Sequence, residues 1–596
     1  MLIGRSEKGH HRTGLLTMAH DSSDPNRVTR RRLLRGTAGS IVAVGLAGCG
    51  SDSGGQTATE GGDGDGGGDG GGDGSGDGDG SGDGDSMTTT SGMGGGTLRF
   101  AQAKSPIEFD PIVLNDVPSG EIAGLIFDPL YDYGEGTDLV PQVAAELPEV
   151  EQNAQRWIVP LNSDATFQNG DQVTAEDVKH SFVAPVEENT ENAGEFNMID
   201  EVTIVDEETV QFDLTFPFGA FKQYITWPIV PKDVRTDQVT YGEDDEGNKI
   251  VEENEFAQNP IGAGPFKFVE WEEGNYTRLE RWDDYWDDPL PNLAEIEFRP
   301  VEEPTTRTTT LRNDENDIIK DIPPDSFPTV ENMSNASVAE EPGVTYFYLA
   351  FNCNEGPTAD PEVREAIDYA FSMDNAVERF VNPAGIRQYS PMPQTLVEDW
   401  NFPIDEWQSA HNERDIDQAK AMLDDNDNVP DDWSPTIIVP PDDKREQIGV
   451  SVSNGLGEAG YDATVQRFDW GPFLNKYVSG DPSEYNMFTL GWAGSPDPDT
   501  FMYFLFSHEQ IGVTNGTFFE DEEMNDAIMT GRQSNDRETR REAYLTAIDI
   551  IMNQKPHLPS YNLKNSFGVS NKVQDFQTHP VDQFKVVSDF NNVSIQ

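Results

Sequence analysis

The chain has 596 residues, with 109 Asp and Glu against 40 Lys and Arg, and a formal net charge of −69 at neutral pH. Such a charge repels nucleic acid and anionic lipid and excludes them as ordinary partners. Two cysteines exclude a disulfide-built fold.

The first element is an export signal. Thr29-Arg30-Arg31-Arg32-Leu33-Leu34-Arg35 is a twin-arginine pattern, and the uncharged run Gly36 to Gly48 follows it. That run is shorter than the roughly 20 residues a membrane-spanning helix needs. It closes on Leu46-Ala47-Gly48-Cys49. This ending resembles a lipoprotein box, which implies a lipid on Cys49 and a protein held to the outer face of the cell membrane. Arg30 and Arg31 are the export-signal residues. Residues 1–17 read as coding upstream of a start at Met18, which would set the arginine pair near the N-terminus.

Residues 49–96 are dominated by Gly, Asp and Ser and have no aromatic side chain. They cannot bury a core and are expected to form a disordered tether with a reach of ~40 Å. The acid excess runs through the body that follows, the composition of a halophile of haloarchaeal type. Multimolar salt shortens the screening length to about 3 Å and relieves the self-repulsion.

The body alternates strands and helices. Strands are expected at Leu98–Ala101, Trp157–Leu161, Thr209–Leu214, Phe266–Trp271, Ile296–Phe298, Tyr346–Asn352 and Met487–Gly491. Helices are expected to open at Thr174, which an acid three residues on supports, and at Asp360-Pro361. In the second, Val363, Ile367, Ala370 and Phe371 share a face. A third helix runs from Arg537 to Lys555 with Tyr544, Ala547, Ile548 and Ile551 on its apolar side. Gly170 suits a positive-φ turn, and Gly262, Gly264 and Pro265 a tight turn before a strand. Cys353 is expected to be a small buried side chain. The fold class is α/β.

Four separated blocks carry a resemblance. The first has Phe167-Gln168-Asn169-Gly170-Asp171 and Val173-Thr174-Ala175-Glu176-Asp177-Val178. The second is Asn259-Pro260-Ile261-Gly262-Ala263-Gly264-Pro265-Phe266, with Glu270-Trp271 and Leu279-Glu280-Arg281. The third is Phe347-Tyr348-Leu349-Ala350-Phe351-Asn352, then Val363-Arg364-Glu365-Ala366-Ile367. The fourth is Gly491-Trp492 with Pro496-Asp497-Pro498 and Phe501, followed by Arg540 and Tyr544. Together they resemble solute-binding protein family 5, the dipeptide, oligopeptide and nickel class of ABC importers.

The resemblance implies a bilobal, periplasmic-binding-protein-like fold of class II type with an additional inserted subdomain. Lobe I would be 97–128, 259–345 and 556–596, the insert 129–258, and lobe II 346–555. It implies a monomer that closes on a small solute and hands it to permease and ATPase subunits, without a cofactor and without catalysis. Peptide binders of this class usually carry an aspartate three residues after the tryptophan of the fourth block, paired with the peptide ammonium. Here that position is Ser495, and Asp497 follows. Peptide, sugar, another small organic solute and chelated nickel are all open, as is a receptor without transport.

The expected ligand contacts are Trp492, Ser495 and Asp497; Tyr346, Tyr348 and Asn352 on the third-block strand; and Arg387, Tyr389 and Asn515 in loops. Each also has an ordinary reading, as core aromatic or surface ion pair. No nucleophile elbow, phosphate loop or metal-ligand histidine spacing is present in the sequence.

Overall fold

The computed structural model describes residues 95–244 and 247–596. Arg30, Arg31, Cys49 and the tether up to residue 94 lie outside the described residues. Among the described residues no helix is long and apolar enough to cross a membrane.

A twelve-stranded mixed sheet organises the body. Its strands in chain order are β1 (Thr97–Gln102), β2 (Phe266–Glu272), β3 (Tyr276–Arg281), β4 (Glu295–Pro300), β5 (Ile318–Lys320) and β6 (Ala336–Pro342). The series continues with β7 (Thr345–Phe351), β8 (Gly385–Arg387), β9 (Thr436–Val439), β10 (Thr464–Arg467), β11 (Met487–Ala493) and β12 (His557–Ser570). The spatial order is β2-β3-β4-β1-β5-β12-β7-β11-β9-β10, and β6 and β8 also pair with β12.

The 14-residue strand β12 joins the two halves of the sheet. Its first part, His557 to Leu563, pairs with β7 and β8, and its second, Lys564 to Ser570, pairs with β5 and β6. It is buried along almost its whole length, as a central strand should be. Pro559 has no N–H to give the ladder. It sits at the register shift between Phe347 and Tyr348 of β7, where such a residue is tolerated.

Residues 149–214 build a separate four-stranded antiparallel sheet in the order Glu149–Glu151, Arg156–Pro160, Thr209–Leu214, Ile199–Asp206. Val210, Phe212 and Leu214 alternate into its core with Trp157 and Val159. Phe182, on the helix Ala175–Glu187, belongs to the same cluster. That helix starts as the sequence implies: the Thr174 backbone N–H and hydroxyl both donate to Asp177.

The seven expected strands and three expected helices are all present. Asn352 lies one residue past β7, and Phe371 one residue past the helix Pro361–Ala370. The helix Arg537–Gln554 buries Tyr544, Ala547, Ile548 and Ile551 and ends on Lys555 in the left-handed region. Cys353 differs from expectation. The strand ends before it, and the side chain is partly exposed rather than fully buried.

Gly170 has φ +91°, as its turn requires. At Gly262 the reason is proximity: a Cβ would sit 2.0 Å from the Ile126 carbonyl oxygen. The backbone of the second block presses onto the end of the helix Val117–Ile126, and Gly264 donates its N–H to Ile126.

Candidate functional site

Strands β9, β10 and β11 run parallel, so their carboxyl ends lie on one edge of the sheet. Strand β7 is antiparallel to β11 and begins at that edge, with Tyr346 directly opposite Trp492. The carboxyl edge of parallel strands is where open α/β sheets place their ligands, because loops there can diverge and backbone groups are free. Three loops leave it: 440–442 after β9, 468–469 after β10 and 494–498 after β11.

Trp492 is half-buried and stacks on Phe504 at 5.6 Å between ring centroids. Ser495 follows in the exit loop, and its Oγ is shielded from solvent without a hydrogen-bond partner among the described residues. Asp497 is fully buried, and Arg540 grips it with both terminal nitrogens, Nη1 to Oδ2 at 2.9 Å. Burial works to raise the Asp497 carboxyl, but the guanidinium overrides it and holds it below the usual carboxylate range. The neighbouring Asp499 is pushed up by burial, with Arg532 opposing. Arg532 donates to it and lies under three rings, Tyr503 at 3.7 Å, Phe218 at 4.4 Å and Phe216 at 5.4 Å. Arg540 thus fastens the loop after β11 to the helix Arg537–Gln554, and Arg532 fastens the start of the helix Asp499–Phe506 that follows this loop to the helix Glu522–Arg532.

Tyr346 and Tyr348 are buried in one stack with His557 of β12. The ring centroids are 5.0 Å apart for the two tyrosines and 3.9 Å for Tyr348 and His557. Burial raises both phenols well above their ordinary value, and Tyr346 Oη has no hydrogen-bond partner among the described residues. Asn352 spends its polar atoms on the chain: its amide donates to Tyr485 and its side-chain oxygen accepts from Asn354.

Arg387 also works inward. It pairs with Asp374 at 2.6 Å, donates to the carbonyls of Gln388, Pro559 and Ser560, and lies 4.4 Å from the centre of the Tyr389 ring. Tyr389 packs edge-on to His411. Asn515 is buried and accepts from the backbone and hydroxyl of Thr517. The structure therefore gathers Tyr346, Trp492 and Ser495 at the strand edge. Asp497, Asn352, Arg387 and Asn515 are engaged in holding loops.

Two further side chains at this edge were not singled out from the sequence. Trp470 is 45% exposed at the start of the helix Trp470–Tyr477, and Arg445 lies in the first turn of the helix Asp443–Ala459. The signal available was positional: each stands just after a short β-branched strand, β10 or β9. Among the described residues no group of three His, Cys, Asp or Glu side chains is placed to hold a metal ion.

The sequence profile described as bacterial extracellular solute-binding proteins, family 5 Middle, matches residues 138–512. The chain belongs to family 5 of the extracellular solute-binding proteins. This family 5 chain is 24% identical to the oligopeptide-binding protein AppA of Bacillus subtilis over 82% of its own length and 90% of the relative's. It is 23% identical to the dipeptide-binding protein of Escherichia coli, covering 86% of this chain and 97% of that one. Its fold superimposes on the substrate-binding protein CtaP of Listeria monocytogenes with a TM-score of 0.72, at 22% identity and over 84% and 99% of the two chains. DppA of Helicobacter pylori, solved with the peptide STSA, gives a TM-score of 0.66 at 24% identity over 84% and 98%. The α/β fold is thus that of the periplasmic binding proteins, and membership of the family makes this chain a binder of solutes rather than an enzyme.

Proposed function

We propose that this family 5 protein is the substrate-binding subunit of an ABC importer for a peptide-sized organic solute that is not held by an ammonium–carboxylate pair beside Trp492. The observation that carries the second half is the pairing of Asp497 with Arg540 next to the neutral Ser495. A buried ammonium with no counter-charge is costly, so an ordinary peptide N-terminus gains nothing at this spot. The relatives named for oligopeptide and dipeptide binding support the size class, and the half-buried Trp492 face supports an organic ligand. The same face and the neutral Ser495 also favour a second reading, a sugar stacked on the indole.

In this proposal lobe I is 97–128, 259–345 and 556–596, the insert is 129–258, and lobe II is 346–555. Closure of the lobes traps the solute at the carboxyl edge of β9, β10 and β11. The twin-arginine signal and the Cys49 lipid are proposed to export the protein and hold it, as a monomer, against its permease. The acid excess is proposed to suit it to multimolar salt.

A thermal-shift screen in multimolar KCl tests the function. Free peptides, N-acetylated peptides and oligosaccharides are offered separately. A ligand at a hundredfold excess over Kd adds roughly 2.7 kcal/mol to stability. N-acetylated peptides or sugars are expected to shift the transition at least as far as free peptides. A response to free peptides alone, abolished by N-acetylation, would remove the proposed class.

A further inference from the structure

Five Asn-x-Ser/Thr triplets lie in the described chain, none with proline in the middle: Asn275-Tyr276-Thr277, Asn332-Met333-Ser334, Asn335-Ala336-Ser337, Asn515-Gly516-Thr517 and Asn592-Val593-Ser594. In a protein of an extracellular family this pattern is the acceptor for N-linked sugar. Such triplets also arise by chance in a chain rich in Asn, so the sequence alone does not choose among the five. The fold does. A transferase must reach both the amide of the Asn and the hydroxyl two residues on, and a folded chain offers it only what lies at the surface.

Four triplets fail that condition. Asn275 stands in an exposed hairpin turn, but Thr277 is only 1% exposed. Asn515 and Thr517 are both buried, with the Thr517 hydroxyl donating to Asn515. Asn335 is half-buried and gives its amide to the carbonyls of Leu311 and Arg312 and to Asp314. Asn592 is half-buried too; its amide donates to the Leu290 carbonyl, and its side-chain oxygen accepts from the Asn292 backbone.

Asn332-Met333-Ser334 meets the condition. Asn332 and Ser334 are both exposed, in the loop between the helix Phe327–Glu331 and β6. The Asn332 amide makes one bond, at 2.6 Å to the Pro328 carbonyl oxygen. The same oxygen accepts the Asn332 backbone N–H at 3.3 Å, so taking the amide away leaves no acceptor unpaired. A depression of about 690 Å³ beside the loop, lined by Arg312, Pro328, Thr329 and Met333 among others, leaves room for the first sugars.

We propose that Asn332 is an N-glycosylation site. The donor is a lipid-linked oligosaccharide phosphate. Asn332 Nδ2 forms a bond to the anomeric carbon of the sugar, and the bond from that carbon to the phosphate oxygen breaks. The lipid phosphate leaves with the electron pair, and the amide nitrogen releases one of its two protons. The site stands clear of the solute edge. Ala336 pairs with Ser570, and Phe347, next to Tyr346, pairs with Tyr561. The stretch of β12 between those two points is roughly 30 Å long. The glycan therefore covers the far end of the sheet and leaves the place of capture open.

Mass spectrometry tests this on protein taken from outside the cells that make it. Wild type is released from the cell surface with detergent, and Cys49→Ser is collected from the medium. Tryptic cleavage after Lys320 and Arg364 frees residues 321–364, and fragmentation assigns any added mass within them. Wild type is expected to carry an oligosaccharide on Asn332. Asn332→Gln and Ser334→Ala, both exposed changes, are each expected to abolish it, and Ser337→Ala to leave it in place. Sugar confined to any of the other four triplets overturns the assignment, as does sugar on Asn332 that survives Ser334→Ala. A bare chain outside the cells overturns the site alone. A chain found only inside the cells, and bare, overturns the site and counts against export as well.

Discussion

Asp497 and Arg540 form a two-pronged ion pair in which neither side chain is more than 4% exposed. The pair closes the loop after β11 onto the helix Arg537–Gln554, so the acid two residues beyond Ser495 acts as an internal tie. Removing one partner strands a buried charge, which costs about 3–5 kcal/mol, whereas replacing both with apolar groups is far less damaging. Arg540→Met is therefore expected to destabilise by that amount, and Asp497→Leu combined with Arg540→Met by distinctly less. Urea denaturation in high salt measures both. Equal losses in the single and double variants would show that Asp497 does not depend on Arg540.

Asp128 gives a pH prediction. Burial pushes its carboxyl up to about 7, with Lys585 opposing. Tyr285 and Trp286 both donate to its Oδ2 at 3.1 Å. A folded-state value above the unfolded one means the native state holds the proton longer. The contribution is complete below about pH 4 and is lost as pH rises through 7. Asp128→Asn keeps a carbonyl for the two donors and never ionises. It is expected to be more stable than wild type at pH 8, by on the order of a few kcal/mol, and to converge with it near pH 4. Melting curves across that range check the convergence.

Gly262 tests the second sequence block. A methyl group there meets the Ile126 carbonyl oxygen at 2.0 Å, and backbone on both sides leaves little room to yield. Gly262→Ala is expected to lose about 1–3 kcal/mol by overpacking. The melting temperature reports it, and an unchanged value would mean that the loop and the helix end separate easily.

Cys49→Ser addresses the anchor read from Leu46-Ala47-Gly48-Cys49. The variant is expected to leave the membrane fraction and appear in the medium, while wild type stays with the cells. Retention of the variant would point to a different attachment.

The regular elements were legible because local rules governed them. Asp177 capping at Thr174, the Val363–Ile367–Ala370 face and the positive φ at Gly170 are settled within a few residues of chain. The site was only half legible. Trp492 and Ser495 could be placed by their block, but the roles of Asp497 and Arg387 depend on Arg540, Asp374 and the carbonyls of β12, all distant in sequence.

The strand β12 carries a consequence for assembly. It follows, in chain order, every strand it joins. Until it emerges from the ribosome, β5 and β6 in one half of the sheet and β7 and β8 in the other have no middle strand to pair with. Such unsatisfied edges invite pairing with other chains. Completion is then a single insertion into a waiting gap, and a polypeptide cut short before residue 557 is left with two incomplete half-sheets, ready to aggregate.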